Sequence, residues 1–260
     1  MSEAAPALRS GWRGAVIPVG AVVLAQLLAL ASPQQSDILA APLDIFLAGA
    51  GGLFDGTIVA ATGQTLIAAL AGLAIGVGVG LIFGILLGLS GVLDRLMTFS
   101  IETVRPVPSA ALIPVSLLVF GFGFRMEIAI VAFSTIWPVL ILSRAAVAGI
   151  EHRLLEVSRV LGFGLVERVW KIIIPAALPR IFVAFRLATG IALIVAVTVE
   201  VTANPLGLGH GMMAAQQSLN PALMLALLVW LGLIGWALNA VLLWAQRTLF
   251  GPAAIAEARP

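Results

Sequence analysis

The sequence predicts an all-α, polytopic membrane protein with six transmembrane helices, and three observations carry that expectation. Hydrophobic residues make up 61% of the 260-residue chain and charged residues only 10%, whereas a soluble globular domain carries about 25% charged residues. Long stretches hold no charge: 14–36, 56–93, 106–124, 128–143, 187–199 and, split by a polar segment from Asn204 to Pro221, 201–246. Thirteen of the 14 Lys and Arg residues fall on one side of the resulting topology, with Arg125 alone on the other. That asymmetry is the positive-inside pattern of an inserted chain.

A helix needs roughly 20 apolar residues to cross the hydrocarbon, which places spans at 14–32, 63–89, 106–122, 127–147, 181–201 and 222–245. The first follows Arg9 and Arg13 and ends in a small-x-small site, Ala29-Leu30-Ala31. That pattern imitates a secretory signal peptide, but the apolar run is longer than the roughly 7–15 residues of such a segment. It is read as a retained helix. The following loop carries Asp37, Asp44 and Asp55 and no base, as an outer loop does. In the second span Gly72, Gly76, Gly80, Gly84 and Gly88 recur every four residues. Each step turns about 40° around a helix of 3.6 residues per turn, so the glycines form a diagonal groove for close backbone approach. Packing within a subunit, packing between subunits and a sliding surface are all compatible with it. The third and fourth spans are short, and Arg144 is expected to snorkel from a helix end.

The organisation that follows is a cytoplasmic N-terminal tail at 1–13, a first helix and outer loop at 14–60, a membrane domain at 61–250 with a cytoplasmic loop at 151–175, and a cytoplasmic C-terminal tail at 251–260.

Several chemistries lack their parts. There are no cysteines, which excludes disulfides and thiolate metal sites. The only lysine, Lys171, is followed by Ile172, so no phosphate-binding loop of the Gly-x4-Gly-Lys-Ser/Thr kind is present. His152 and His210 have no ligands at metal spacing, and no Gly-x-Ser-x-Gly elbow exists. The net charge of +2 reflects the inner-face bias and is not a nucleic-acid signature. Glu200, near the outer end of the fifth span where water can reach, is either a solvated or hydrogen-bonded interfacial group or part of an outer gate or pathway. Ser116, Ser134, Thr135 and Thr198 are candidate pathway residues, though such hydroxyls commonly bond back to their own helix.

The charged residues concentrate between Glu151 and Pro175, where Glu151, Arg153, Glu156, Arg159, Glu167, Arg168 and Lys171 account for seven of 26 charges. On a helical projection Arg153, Glu156, Arg159, Glu167 and Lys171 share one side, and Leu154, Leu161, Leu165, Val169 and Ile172 the other, an amphipathic pattern suited to the membrane surface. Gly162 and Gly164 interrupt it. The expected shape is a short helix, a turn at Gly162-Phe163-Gly164 and a second short helix ended by Pro175. Ser158 and Gly162, small residues near the exposed end, suit docking into a groove on a soluble partner.

At these residues the chain resembles the permease subunits of bacterial ATP-binding-cassette (ABC) importers. Their signature loop reads Glu-Ala-Ala, three residues, Gly, nine residues, Ile, one residue, Leu-Pro. Here Glu156-Val157-Ser158, Gly162, Ile172 and Ile174-Pro175 keep the spacing, with Val157-Ser158 in place of Ala-Ala and Ile174 in place of Leu. Pro106-Val107-Pro108, Phe120-Gly121-Phe122-Gly123, Pro175-Ala176-Ala177-Leu178-Pro179, and Glu200 followed by Gly207-Leu208-Gly209 resemble the nitrate, sulfonate and taurine branch. The resemblance implies a type I ABC importer permease fold in the bacterial inner membrane and a homodimer. It also implies two cytoplasmic ATPase subunits docked on Glu156, Val157, Ser158, Gly162, Ile172 and Pro175, and a periplasmic binding protein that delivers a small anion. ATP would be bound by the partners, with no cofactor, metal or nucleic acid on this chain. The alternatives are a secondary transporter driven by an ion gradient, an intramembrane enzyme and a membrane scaffold that recruits a soluble partner.

Overall fold

The computed structural model describes residues 11–31 and 40–251. Among these the chain is helical and contains no strand. In order, the helices are α1 (Gly11–Ala31), α2 (Pro42–Phe54), α3 (Thr57–Leu89), α4 (Gly91–Val104), α5 (Ile113–Phe120), α6 (Phe124–Ala148), α7 (His152–Val160), α8 (Leu165–Arg168), α9 (Ile174–Thr202), α10 (Gly207–Gln217) and α11 (Pro221–Phe250). A 3-10 turn, Ser109–Leu112, precedes α5, and a π-helical turn, Val169–Ile173, joins α8 to α9. The expected tails lie outside the described residues except for 11–13 and Gly251.

Among the described residues four helices are long and apolar enough to cross a membrane: Thr57–Leu89, Phe124–Ala148, Val166–Thr202 and Pro221–Phe250. A fifth span exists if the bent pair Gly91–Val104 and Ser109–Phe120 is one crossing, and α1 contributes a shorter apolar stretch, Val19–Leu30. The six expected helices are therefore not reproduced one for one. The third, expected over 106–122, is a shorter helical run, Ser109–Phe120, which meets Gly91–Val104 at a 79° bend. Pro106 and Pro108 lie at that bend; Arg105 still has helical geometry, and the chain is extended at Pro108, with φ −61° and ψ 124°.

Contacts divide the chain into two units, one formed by residues up to Val59 with Gly211–Trp230, the other by Ala60–His210 with the residues from Leu231 on. In the first, the Leu43 N–H donates to Gln26 Oε1 at 3.0 Å, joining α2 to α1. Asp55 Oδ1 accepts from the Thr57 hydroxyl at 2.7 Å and its N–H at 2.9 Å, turning the chain from α2 into α3. The Thr57 hydroxyl, and after it the Thr57 N–H, hold the Asp55 carboxyl below its ordinary pKa.

In the second unit the glycine ladder lies against α6. Its partners, Val131, Thr135, Val139, Ser143 and Val147, are themselves spaced by four. A Cβ added at Gly80 would sit 2.8 Å from the Ile136 carbonyl oxygen, at Gly84 2.7 Å from that of Leu140, and at Gly76 would overlap the Thr135 hydroxyl. Apolar burial drives helices together only weakly in lipid, so close backbone approach and dispersion carry the association. On α9 a second small-residue row, Ala184, Ala188, Ala192 and Ala196, is 0 to 1% exposed. Ala188, Ala192 and Ala196 share a core with Ala69 and Leu73 of α3 and Val131 and Val139 of α6. The Arg144 guanidinium meets the Asp94 carboxylate of α4 through contacts of 2.6 and 2.7 Å. Arg144 is thus paired rather than snorkelling alone.

Candidate functional site

The charged segment between α6 and α9 folds as the helix–turn–helix that its glycines suggest. α7 closes in a left-handed cap: Gly162 has φ +69°, and the Phe163 N–H reaches back to the Ser158 carbonyl at 3.0 Å, the six-to-one bond that ends a helix at a glycine. Gly164 starts the next turn, its N–H donating to Glu167 Oε2 at 3.4 Å. Glu167 also pairs with Lys171 at 2.9 Å, and the Lys171 ammonium lies 4.9 Å from the centre of the Phe163 ring. The turn is therefore held by its own side chains.

Outward from this frame Val157, Val160, Leu161, Val166 and Trp170 are each more than half exposed, beside exposed Glu156 and Gly162. Ser158, expected near the exposed end, is 0% exposed; it faces inward as the small residue over which the turn folds. Ile172 is half-buried. Its neighbour Ile173 is the anchor, packed with Ala146, Val147, Ala177 and Ile181.

Pro175 does not end a helix. It occupies the first turn of α9, where its missing N–H costs least, and the π turn at Val169–Ile173 carries the chain into it. The expected fifth span at 181–201 accordingly begins earlier, in a helical run that reaches from Val166 to Thr202.

Glu200 is 2% exposed, so of the two interfacial forms expected it is the hydrogen-bonded one and not the solvated one. Its Oε2 accepts the Gly209 N–H at 2.8 Å, the Thr65 hydroxyl accepts from Leu208 N at 2.9 Å, and Gln64 Oε1 accepts from Gly207 N at 2.9 Å. The three leading N–H groups of α10, which no helix satisfies internally, are thus capped by α3 and α9. Gly207, at φ +88°, lies so close to the Glu200 carboxylate that a Cβ would overlap it. Nor does Glu200 stand alone. Glu127 of α6, 1% exposed, lies within hydrogen-bonding reach of it and accepts from Asn204 Nδ2 at 2.6 Å. Two ionised carboxylates can only accept hydrogen bonds and repel unless a proton sits between them.

The hydroxyl candidates separate. Thr135 is fully buried against Gly76, its Oγ1 donating to the Val131 carbonyl at 2.9 Å. Thr198 is exposed and donates to the Ile194 carbonyl at 2.8 Å. Ser116 is half-buried on α5. Ser134 donates to the Ile130 carbonyl at 2.8 Å and alone among the four lines a cavity of about 440 Å³.

Residues 76–250 match the profile of the family described as binding-protein-dependent transport system inner membrane component. The chain belongs to that family. Like its relatives, it is a transport permease subunit and not an enzyme. It is 31% identical over 210 residues to the aliphatic sulfonates transport permease protein SsuC of Bacillus subtilis (strain 168), covering 80% of this chain and 76% of that one. With the nitrate import permease protein NrtB of Leptolyngbya laminosa it shares 29% over 176 residues, 68% of this chain and 60% of the relative. Its fold is that of a chain of the MetNI methionine ABC transporter, with a TM-score of 0.66 at 20% identity over 74% of this chain and 95% of the other. The matched region of the permease contains the ladder from Gly76 on, the charged loop and the Glu127–Glu200 cluster.

Sequence reading missed two features of this permease. The alanine row on α9 has a visible signal, an Ala at every fourth position from 184 to 196. Glu127 has none, because its partner Asn204 is 77 residues away.

Proposed function

We propose that this chain forms the membrane path of an ATP-driven importer for a small anion. Two copies pair in the membrane, two cytoplasmic ATPase subunits dock on the loops from Glu156 to Pro175, and a periplasmic binding protein delivers the solute. Both termini face the cytoplasm. The observation that carries this reading is the α7–Gly162–α8 turn: a self-stapled projection between two spans, with an apolar surface and Glu156 at its rim, and the Glu-x-Ser-x3-Gly spacing of the importer loop. The anionic class is supported by the names of the relatives, which import sulfonates and nitrate. No nucleotide-binding loop occurs in the sequence, so the energy must come from a partner.

Glu200, with Gln64 and Thr65 of α3, acts in this reading as the lock on α10. The cap they form holds the segment after α9 in place, and its release would open that end of the path. Ion-gradient-driven carriers also place carboxylates within the membrane, so the test must separate the two energy sources. Uptake of the delivered solute into membrane vesicles should require ATP and persist after a protonophore collapses the proton gradient. Uptake abolished by the protonophore at constant ATP would replace the importer reading with the ion-coupled one.

A further inference from the structure

The cavity lined by Ser134 lies where the bend between α4 and α5 faces α6 and α9. Its wall is predominantly apolar, contributed chiefly by Phe133, Trp137, Ile141, Leu142, Leu187 and Ile191. Phe133 and Trp137 meet edge to face, with ring centres 5.5 Å apart. Against that wall stand two donors. Arg105, at the bend, has no ion pair or side-chain hydrogen bond among the described residues, and no carboxylate lines the cavity. The Ser109 hydroxyl is likewise unpaired among the described residues. Trp137 contributes its ring face, while its indole Nε1 is itself buried and closed to the cavity. Ser134 cannot add a third donor while its hydrogen is bonded to the Ile130 carbonyl.

From this geometry we infer a binding site for an organic anion with an apolar body, such as an alkyl or aryl sulfonate, with its head group at Arg105 and its hydrocarbon part against Phe133, Trp137 and Leu187. This rests on the proposed importer role and narrows its solute class. An unbalanced guanidinium draws an anion into the mouth, and a charge-assisted hydrogen bond to it is about twice as strong as a neutral one. The apolar wall decides against wholly polar ions: nitrate or bicarbonate would give up hydration along most of its surface with nothing in return, whereas an alkyl chain is favoured there. The volume of about 440 Å³ is within the usual range for small-molecule sites, about 300–1,000 Å³.

The test is titration calorimetry of the intact, affinity-purified membrane complex with 1-hexanesulfonate as probe. Binding should weaken about tenfold or more in Arg105→Gln, the cost of one charge-assisted hydrogen bond. Most of it should return in Arg105→Lys, and Trp137→Phe should lower it by a smaller factor. Nitrate at equal concentration should leave hexanesulfonate bound, an arm that needs no variant. Unchanged affinity in a folded Arg105→Gln complex, absence of hexanesulfonate binding, or displacement by equimolar nitrate would each overturn the site. The same preparation is scored for a co-isolated ATPase. An ATPase-bearing complex indifferent to hexanesulfonate removes the site and leaves the importer reading standing. A preparation without ATPase removes the importer reading, and its hexanesulfonate titration still decides the cavity.

Discussion

Glycine serves opposite ends in the ladder of α3 and in the loop at Gly162. The ladder glycines have ordinary helical backbones and no room: at Gly80 and Gly84 the missing Cβ would strike a carbonyl oxygen of α6. Gly162 has open space, with nothing within 4 Å of its missing Cβ, but a backbone at φ +69° that side chains rarely adopt. The first set lets two helices touch, and the second lets one helix stop and turn outward. Removing a ladder glycine therefore attacks the fold, while removing Gly162 attacks what the fold presents.

The largest expected effect is Gly80→Leu. A side chain that cannot fit between α3 and α6 should leave no folded protein on detergent size exclusion, and Gly80→Ala should already cost about 1–3 kcal/mol as overpacking, read as an earlier melt. A normally melting Gly80→Ala would show that α6 yields and that the close approach is dispensable. At Gly162 the comparison can be sharpened by two variants. Gly162→Val carries both bulk and the cost of a left-handed backbone, roughly 1–2 kcal/mol. Gly162→Asn carries bulk with a tolerated backbone. Both should fold and melt near wild type, and both should hydrolyse ATP without uptake if the partner's groove needs a bare surface there. Coupling preserved in Gly162→Asn but lost in Gly162→Val would mean that only the turn matters.

Glu200→Ala leaves the Gly209 N–H without its acceptor, a loss of about 1–3 kcal/mol, and should loosen α10, seen as faster hydrogen exchange at Leu208 and Gly209. Glu200→Gln keeps an acceptor oxygen and should exchange far more slowly than the alanine variant. If the glutamine variant also leaves uptake and transport-linked ATP hydrolysis unchanged, the carboxylates have no gating role. The smallest effect belongs to Thr135→Val, which preserves shape against Gly76 and removes a hydroxyl bonded only to its own helix. Its cost should stay under about 1.5 kcal/mol, and a larger drop in melting temperature would reveal a further partner for that hydroxyl.

Charge-free runs located the long helices because a span must be apolar over its whole length, a property of composition alone. The loop was legible for a different reason. Gly162 combines a turn requirement with fixed spacing to Glu156 and Ile172, and both are local. Local rules failed at Pro175, where a proline read as a stop stands instead in the first turn of α9, led in by a π turn. At Pro106 and Pro108 they marked where the third helix opens, but not the 79° bend that joins it to α4. The ladder showed that some helix must come close, but α6 was identified only in three dimensions. The pairing of Glu127 with Asn204 and Glu200, and the closure of a cavity by Arg105, Trp137 and Leu187, depend on segments far apart in the chain. No periodicity records them.

The most direct test of the central claim is affinity purification of the wild-type chain from its native membranes in mild detergent, with mass spectrometry of what remains bound. A phosphate-loop ATPase is expected in about equal copy number, still active but uncoupled from uptake when Gly162 is replaced. A folded, dimeric preparation that carries no ATPase would contradict it.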